Sequence, residues 1–255
     1  MAAILTLAAA ALLGAPALRL IGQAIRNGQR PELWAGLFFA GAGVGIPLRL
    51  LGAATVASDP EHAALLNTAG HLLFASGACA LFAFTRLVFR PQARGAAAAC
   101  AIGIAMVVIS TLGVLMTGVI NDEQSGFVLW TNLARVSALG WAFAESSLYA
   151  RMMQRRTALG LGDPVVADRF RLWSLWTAAL ALAPLLAASA RVLGRAIGIT
   201  ADTPPDLHSH AATVLVLLRL AIVICAPLAV YGIVMSFFPP ARYLERVRAR
   251  ATSTR

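Results

Sequence analysis

The chain has 255 residues, of which 59% are hydrophobic and 13% are charged, and it carries a formal net charge of +10. Soluble domains have roughly 25% charged residues, so this composition argues against a water-soluble fold. The basic residues stand between long apolar runs instead of forming one face or stripe, so nucleic acid is not an expected partner.

Seven apolar segments of the chain are long enough to cross a bilayer, which takes about 20 residues per helix. They lie at residues 2–24, 33–55, 62–88, 96–120, 127–150, 172–198 and 211–238. The sequence therefore predicts an all-α integral membrane protein with seven transmembrane helices in a single domain over residues 1–255. We expect a multi-pass protein of the cell inner membrane or plasma membrane, with the lipid bilayer as its first partner.

The distribution of arginine predicts the orientation, because cytoplasmic loops of membrane proteins carry an excess of basic residues. One set of loops includes Arg26, Arg30, Arg90, Arg94 and a basic loop over 151–171, and it ends in a basic tail over 242–255. The opposite loops contain Asp59, Glu61, Asp122, Glu123, Asp202 and Asp206. This pattern predicts an N-terminus outside the cytoplasm and a C-terminus inside it.

Two stretches of the chain match each other at a constant offset of 148 residues. His-Ala-Ala occurs at 62–64 and 210–212, and Phe-Arg-Pro-Gln-Ala-Arg at 89–94 matches Phe-Phe-Pro-Pro-Ala-Arg at 237–242. Upstream, after a small gap, Arg49 and Gly52 match Arg191 and Gly194 at an offset of 142 residues. These matches predict parallel repeats over 1–94 and 127–242, joined by a linker helix at 96–120. The alternative is a chance match, because Ala- and Leu-rich helices align easily with one another. This 3+1+3 layout resembles the architecture of the SWEET sugar transporters, without a sequence motif of that family.

Ionisable side chains inside predicted spans are costly and indicate a functional site. At about 1.5 Å of rise per residue, His71, Arg135 and Arg219 lie roughly 12–14 Å from the outer helix ends. Arg191 and Arg49 lie nearer the outer surface, and Asn67 and Asn132 add neutral polar groups. Arginine suits carboxylate or phosphate, so we expect an outward-facing vestibule for a small anionic ligand. The alternatives are that Arg49 and Arg191 extend to the lipid headgroups and that His71 is a buried hydrogen-bonding residue.

Glu145 lies toward the cytoplasmic half of its predicted span, where Arg19 and Arg86 are the nearest arginines by depth. One interpretation is a structural ion pair. The other is a carboxylate that couples transport to protons, because desolvation raises the pKa of a glutamate.

Three histidines near the outer helix ends, His62, His208 and His210, are candidate zinc ligands together with nearby carboxylates. Asn67 and His71 after Glu61 are similar to a pattern of the ceramidase and adiponectin-receptor hydrolases, which hold zinc among seven helices. The paired histidines of that group are spaced by three residues, whereas His208 and His210 are separated by one. A helix-capping or interfacial role is the alternative for these histidines.

The predicted function is a small transporter or binding protein for an anionic solute. The alternatives are a seven-helix sensory receptor that signals through a separate partner and a metal-dependent membrane hydrolase; an enzyme is the less expected class. Homo-oligomers are compatible with each of these functions. No cofactor is expected, and retinal in particular would need a lysine for its Schiff base, which this sequence lacks.

Overall fold

A computed structural model of the chain describes residues 2–118, 126–196 and 210–253. Within these ranges the chain forms helices and no strands, as predicted for an all-α protein. The helices are α1 Ala2–Asn27, α2 Arg30–Thr55, α3 Pro60–Phe89, α4 Arg94–Thr117, α5 Gly126–Ala158, α6 Pro164–Ala196, α7 His210–Phe237 and α8 Ala241–Ser253.

Five of the predicted spans correspond to helices that are long and apolar enough to cross a membrane. These helices are α2, α3, α4, α6 and α7, with the apolar stretch of α6 over Pro164–Ala190 and that of α7 over Thr213–Phe237. Many large apolar side chains on them are exposed, including Ile109, Leu217 and Val223. Such surfaces suit hydrocarbon and not water, so the chain is embedded in a membrane and crosses it more than once.

Helices α1 and α5 coincide with the two other predicted spans. Over their described residues, however, they are not apolar enough to count as candidate membrane spans. The side chains of the first apolar turns of α1 lie outside the described part of the chain. Helix α5 contains Arg135 and Glu145, which lower its mean hydropathy. Seven spans therefore remain a prediction.

Two helix boundaries differ from the prediction by eight residues each, and one helix was not predicted. Helix α5 continues to Ala158 and α6 begins at Pro164, so most of the predicted loop over 151–171 is helical. Gly160 makes the turn between them with φ +75°, a conformation that favours glycine. The predicted tail also forms a helix, α8. Apolar length locates only the part of a helix inside the bilayer, and polar turns continue beyond it.

The first of two compact units covers Met1–Glu145. Here α2 packs against both α1 and α3, and α3 also contacts α4. Glycines allow α2 and α3 to approach closely, because a Cβ atom on Gly45 would lie 2.7 Å from the carbonyl oxygen of Gly70. Small residues at such contacts are typical of membrane helix pairs.

The second compact unit covers Ser146–Arg255, and its centre is the packing of α6 against α7. Gly232 of α7 faces the buried Trp176 of α6, where a Cβ atom on Gly232 would lie 2.8 Å from the Trp176 Cβ. Helix α8 is fixed to the start of α6 because the Tyr243 hydroxyl donates a hydrogen bond to Asp168. Asp168 also pairs with Arg171 at 2.9 Å.

Candidate functional site

Arg135 is the most deeply buried described arginine, with 4% of its surface exposed. Its Nη2 donates a hydrogen bond of 3.1 Å to the backbone carbonyl of His71, which connects α5 to α3. Its guanidinium carbon lies 4.7 Å from the centre of the Phe74 ring, within range of a cation–π interaction. Its Nε and Nη1 have no hydrogen-bond partner within the described part of the chain.

His71 lies beside this guanidinium and is 2% exposed. Its Nε2 atom is buried and has no hydrogen-bond partner among the described residues. The imidazole and the guanidinium thus both have polar nitrogens inside the first unit that the described protein atoms do not satisfy. The sequence predicted these two residues at similar depth, and the structure brings them together.

Arg49 and Asn67 adjoin the same place from α2 and α3. Arg49 is half-buried and interacts electrostatically with both His71 and Arg135. Two glycines leave space for these side chains: a Cβ atom on Gly70 would lie 2.8 Å from Arg49 Cγ, and one on Gly52 would lie 2.6 Å from Asn67 Oδ1. We refer to Arg49, Asn67, His71 and Arg135 together as the arginine cluster.

The other predicted vestibule residues are placed differently. Asn132 is half-buried on α5, about one turn before Arg135. Arg219 belongs to α7 in the second unit and is exposed, so it lacks the burial that its position in the apolar run predicted. Arg191 lies on α6, and its side chain is outside the described residues.

Glu145 has a different partner from the arginines expected by depth. Its carboxylate accepts hydrogen bonds from Arg90 Nε at 2.9 and 3.1 Å, and Trp141 Nε1 donates a third at 3.4 Å. Arg19 and Arg86 were the predicted neighbours. Arg90 caps the end of α3, and its long side chain brings its charge back to the carboxylate.

Only one of the candidate zinc-binding histidines has a described side chain. His62 is exposed in the first turn of α3, where its Nδ1 lies 2.6 Å from Asp59 Oδ2 and its backbone N–H donates to Asp59 Oδ1 at 3.1 Å. The N-cap of α3 is therefore Asp59, and His62 is the residue whose backbone N–H it accepts. His208 and the side chain of His210 lie outside the described residues, and the described part contains no group of three or more potential metal ligands.

The arginine cluster combines positive charge with burial. A buried guanidinium with unsatisfied N–H groups costs free energy that a bound anion would recover through charge-assisted hydrogen bonds. Phe74 was not among the predicted site residues, although it lies three residues after His71 and therefore close to it on the helix surface.

No family model, curated protein or solved structure matches the chain.

Proposed function

We propose that the chain is a seven-span transporter that binds a small anionic solute at the arginine cluster, with its N-terminus outside the cytoplasm and its C-terminus inside. The observation that carries this proposal is the buried Arg135 guanidinium, of which two nitrogens have no partner among the described residues. A carboxylate or phosphate group supplies the acceptors that these nitrogens need.

The surroundings of Arg135 favour an anion over a neutral ligand. Arg49 adds a second positive charge, and His71 offers a further polar nitrogen at Nε2. The Phe74 ring lies 4.7 Å from the guanidinium carbon and offers no oxygen or nitrogen acceptor, so Nε and Nη1 still lack one among the described residues. In a low-dielectric interior these charges attract an anion more strongly than they would in water.

The ends of two helices support the predicted repeat. Helix α3 ends at Phe89 and α7 at Phe237, and these positions are 148 residues apart because 237 − 89 = 148. The next helices begin at Arg94 and Ala241, close to the same offset. A parallel repeat would give the transporter two related halves around a linker helix.

The test is anion binding by the purified full-length protein, measured by calorimetry with inorganic phosphate, acetate and citrate. Removal of the charge in Arg135→Gln should weaken binding about tenfold to a hundredfold, because hydrogen bonds to charged groups contribute about 1.5–3 kcal/mol. Arg135→Lys should recover only part of the affinity, because lysine lacks the planar fork. Arg94→Gln, at the start of α4, serves as the control and should bind as the wild type does.

Uptake of the bound anion into proteoliposomes then tests transport separately from binding. Equal anion affinity of wild type and Arg135→Gln would contradict the proposed site. Binding without uptake would show that the protein binds the anion but does not transport it.

A further inference from the structure

Helix α8 begins where a candidate membrane span ends. The apolar part of α7 runs to Phe237, and Pro239 and Pro240 stop that helix because proline lacks the N–H that a continuing helix needs. The chain then bends, and α8 starts at Ala241. Its 13 residues extend about 20 Å, at about 1.5 Å per residue. Helix α8 therefore starts at the boundary between hydrocarbon and water.

The two sides of α8 differ in chemistry. Tyr243, Leu244 and Val247 share one side of the helix and are half-buried. On this side the Tyr243 hydroxyl donates a hydrogen bond to Asp168, which lies within the first two turns of α6. The contact with α6 fixes the rotation of α8 about its axis, so the opposite side and both edges face away from the second unit.

Arginines flank the apolar side of α8 on both edges. Arg246 follows Tyr243 by three positions, and Arg248 follows Leu244 by four, so each arginine lies beside an apolar residue on the helix surface. Arg242 lies about one turn before Arg246 on the same edge. All three arginines are exposed, and none forms an ion pair with a described side chain. Their charges are available to an external partner.

The rest of the second unit adds positive charge at the same level. Tyr149 of α5 packs against Phe170 of α6 with ring centres 4.5 Å apart, which places the last turns of α5 beside the first turns of α6. The stretches 151–171 and 241–248 contain eight arginines and three carboxylates, a net charge of +5. The arginines are all exposed: Arg151, Arg155, Arg156, Arg169, Arg171, Arg242, Arg246 and Arg248. A surface of this charge attracts an anionic partner.

The position of α8 favours phospholipid headgroups as that partner over a soluble anionic protein. A helix with an apolar side and arginines along its edges typically lies in the interface plane of a membrane, and α8 directly follows a span. Arginine binds phosphate in bidentate geometry, and a layer of anionic headgroups attracts each arginine near it. A soluble protein would approach from the aqueous side and would not require an apolar side between two basic edges.

We propose that α8 lies in the membrane interface and binds the phosphate groups of anionic phospholipids through Arg242, Arg246 and Arg248. The apolar side of the helix contacts α6 and the upper acyl chains, and the arginines extend to the headgroups. This interaction surface is separate from the arginine cluster and does not depend on the proposed transport function.

Hydrogen exchange of the α8 amides, measured by mass spectrometry on the full-length protein in nanodiscs, tests this inference. Nanodiscs of phosphatidylcholine are compared with nanodiscs of equal parts phosphatidylcholine and phosphatidylglycerol. We expect α8 to exchange about five- to thirtyfold more slowly with phosphatidylglycerol, as for one to two arginines that each contribute about 1 kcal/mol at an anionic surface. High salt should remove most of this difference, because ions screen exposed charges.

Matched variants test which arginines are responsible. Arg242→Gln combined with Arg246→Gln removes two charges from α8 and should remove most of the slowing by phosphatidylglycerol. Arg155→Gln combined with Arg156→Gln removes the same charge from the last turn of α5 and serves as the control. In the control, the exchange of α8 should still respond to phosphatidylglycerol as in the wild type.

Three results would overturn the proposal. The first is equal exchange of α8 in the two membranes, which would point to a soluble partner for this surface. The second is equal slowing by free glycerol 1-phosphate in phosphatidylcholine nanodiscs, which would show binding of phosphate from solution and not of lipid. The third is loss of the slowing in the α5 control, which would assign the effect to overall charge and not to α8. The comparison of membranes on the wild-type protein decides the question even if a variant does not fold.

Discussion

Arg135 and Glu145, two of the charged side chains of α5, show how local partners determine the role of an ionisable residue in a membrane. Glu145 is held by Arg90 and Trp141, so its charge is balanced within the protein. Arg135 has a carbonyl and an aromatic ring beside it, and neither neutralises its charge. The first arrangement is typical of a structural ion pair, and the second is typical of a site that takes its counter-charge from a ligand.

The depth of each residue within its predicted span, counted from the sequence, predicted part of this arrangement. It placed His71 and Arg135 at one level, which agrees with their contact, because helical rise is regular and both residues lie within continuous helices. It did not identify Arg90 as the partner of Glu145, because an arginine side chain reaches several residues along the helix axis. The exposure of Arg219 depends on the rotation of α7 about its axis, which depth does not specify.

A double-mutant cycle on Arg90 and Glu145 tests the structural role of the ion pair. Arg90→Ala and Glu145→Ala should each reduce the free energy of unfolding, and the double variant should lose less than their sum. We expect a coupling of about 0.5–1 kcal/mol, because Arg90 is half exposed and solvent weakens the attraction. Unfolding in mixed micelles gives the four free energies. Additive losses would show that the two charges do not stabilise each other.

At the scale of helices, hydropathy predicted where elements exist better than where they end. The structure confirms that the described elements are helices, five of them long and apolar enough to cross a membrane, with α3 within two residues of its predicted limits. The polar turns of α5 and α6 and the whole of α8 lie outside any apolar window, so apolar length could not reveal them. The sequence of α8 has an amphipathic pattern, with Tyr243, Leu244 and Val247 along one side, and this pattern could have predicted the helix.

The close contact of α2 and α3 makes Gly45 sensitive to substitution. In Gly45→Ala the added methyl group would lie 2.7 Å from the Gly70 carbonyl oxygen and 2.9 Å from the Phe74 amide nitrogen. Since backbone atoms cannot move aside cheaply, we expect a loss of about 1–3 kcal/mol in the free energy of unfolding. Gly22→Ala on α1 is the control, because nothing lies within 4 Å of its added methyl. A Gly45→Ala protein as stable as the Gly22→Ala protein would contradict this packing.

The contact between α8 and α6 predicts a change in stability at alkaline pH. Burial, and then the hydrogen bond to Asp168, raise the pKa of Tyr243 from 10.0 to about 12. A raised pKa means that the folded state favours the neutral phenol. The contribution of Tyr243 to stability is therefore complete below pH 10 and is lost as the pH rises from 10 to about 12.

Absorbance of the phenolate during an alkaline titration measures this pKa. The wild-type titration minus that of Tyr243→Phe isolates the signal of Tyr243, and its midpoint should lie above 10. Asp168→Asn should lower the midpoint, because the amide no longer repels the phenolate. A midpoint at the ordinary tyrosine value would show that α8 does not dock on Asp168.

At the scale of the whole molecule, the predicted total of seven spans requires that α5 crosses the membrane. This helix has 33 residues, so at about 1.5 Å per residue it is about 50 Å long and more than sufficient to cross the bilayer. Its composition falls short because it contains Arg135 and Glu145, yet Arg135 is buried among protein atoms and Glu145 is paired. Hydropathy counts both residues as if they met lipid, so it underestimates the suitability of α5 for a membrane.

Reporter fusions on either side of α5 test whether it spans the membrane. If all seven predicted spans cross, a reporter inserted at Asp122 should lie outside the cytoplasm, and one at Gly162 should lie inside. A reporter after Arg255 should share the location of the one at Gly162, because α6 and α7 return the chain to the same side. If α5 does not cross, the reporters at Asp122 and Gly162 will report the same side. That result would show that α5 is not a membrane span. The predicted depth of Arg135 inside the bilayer would then be wrong as well.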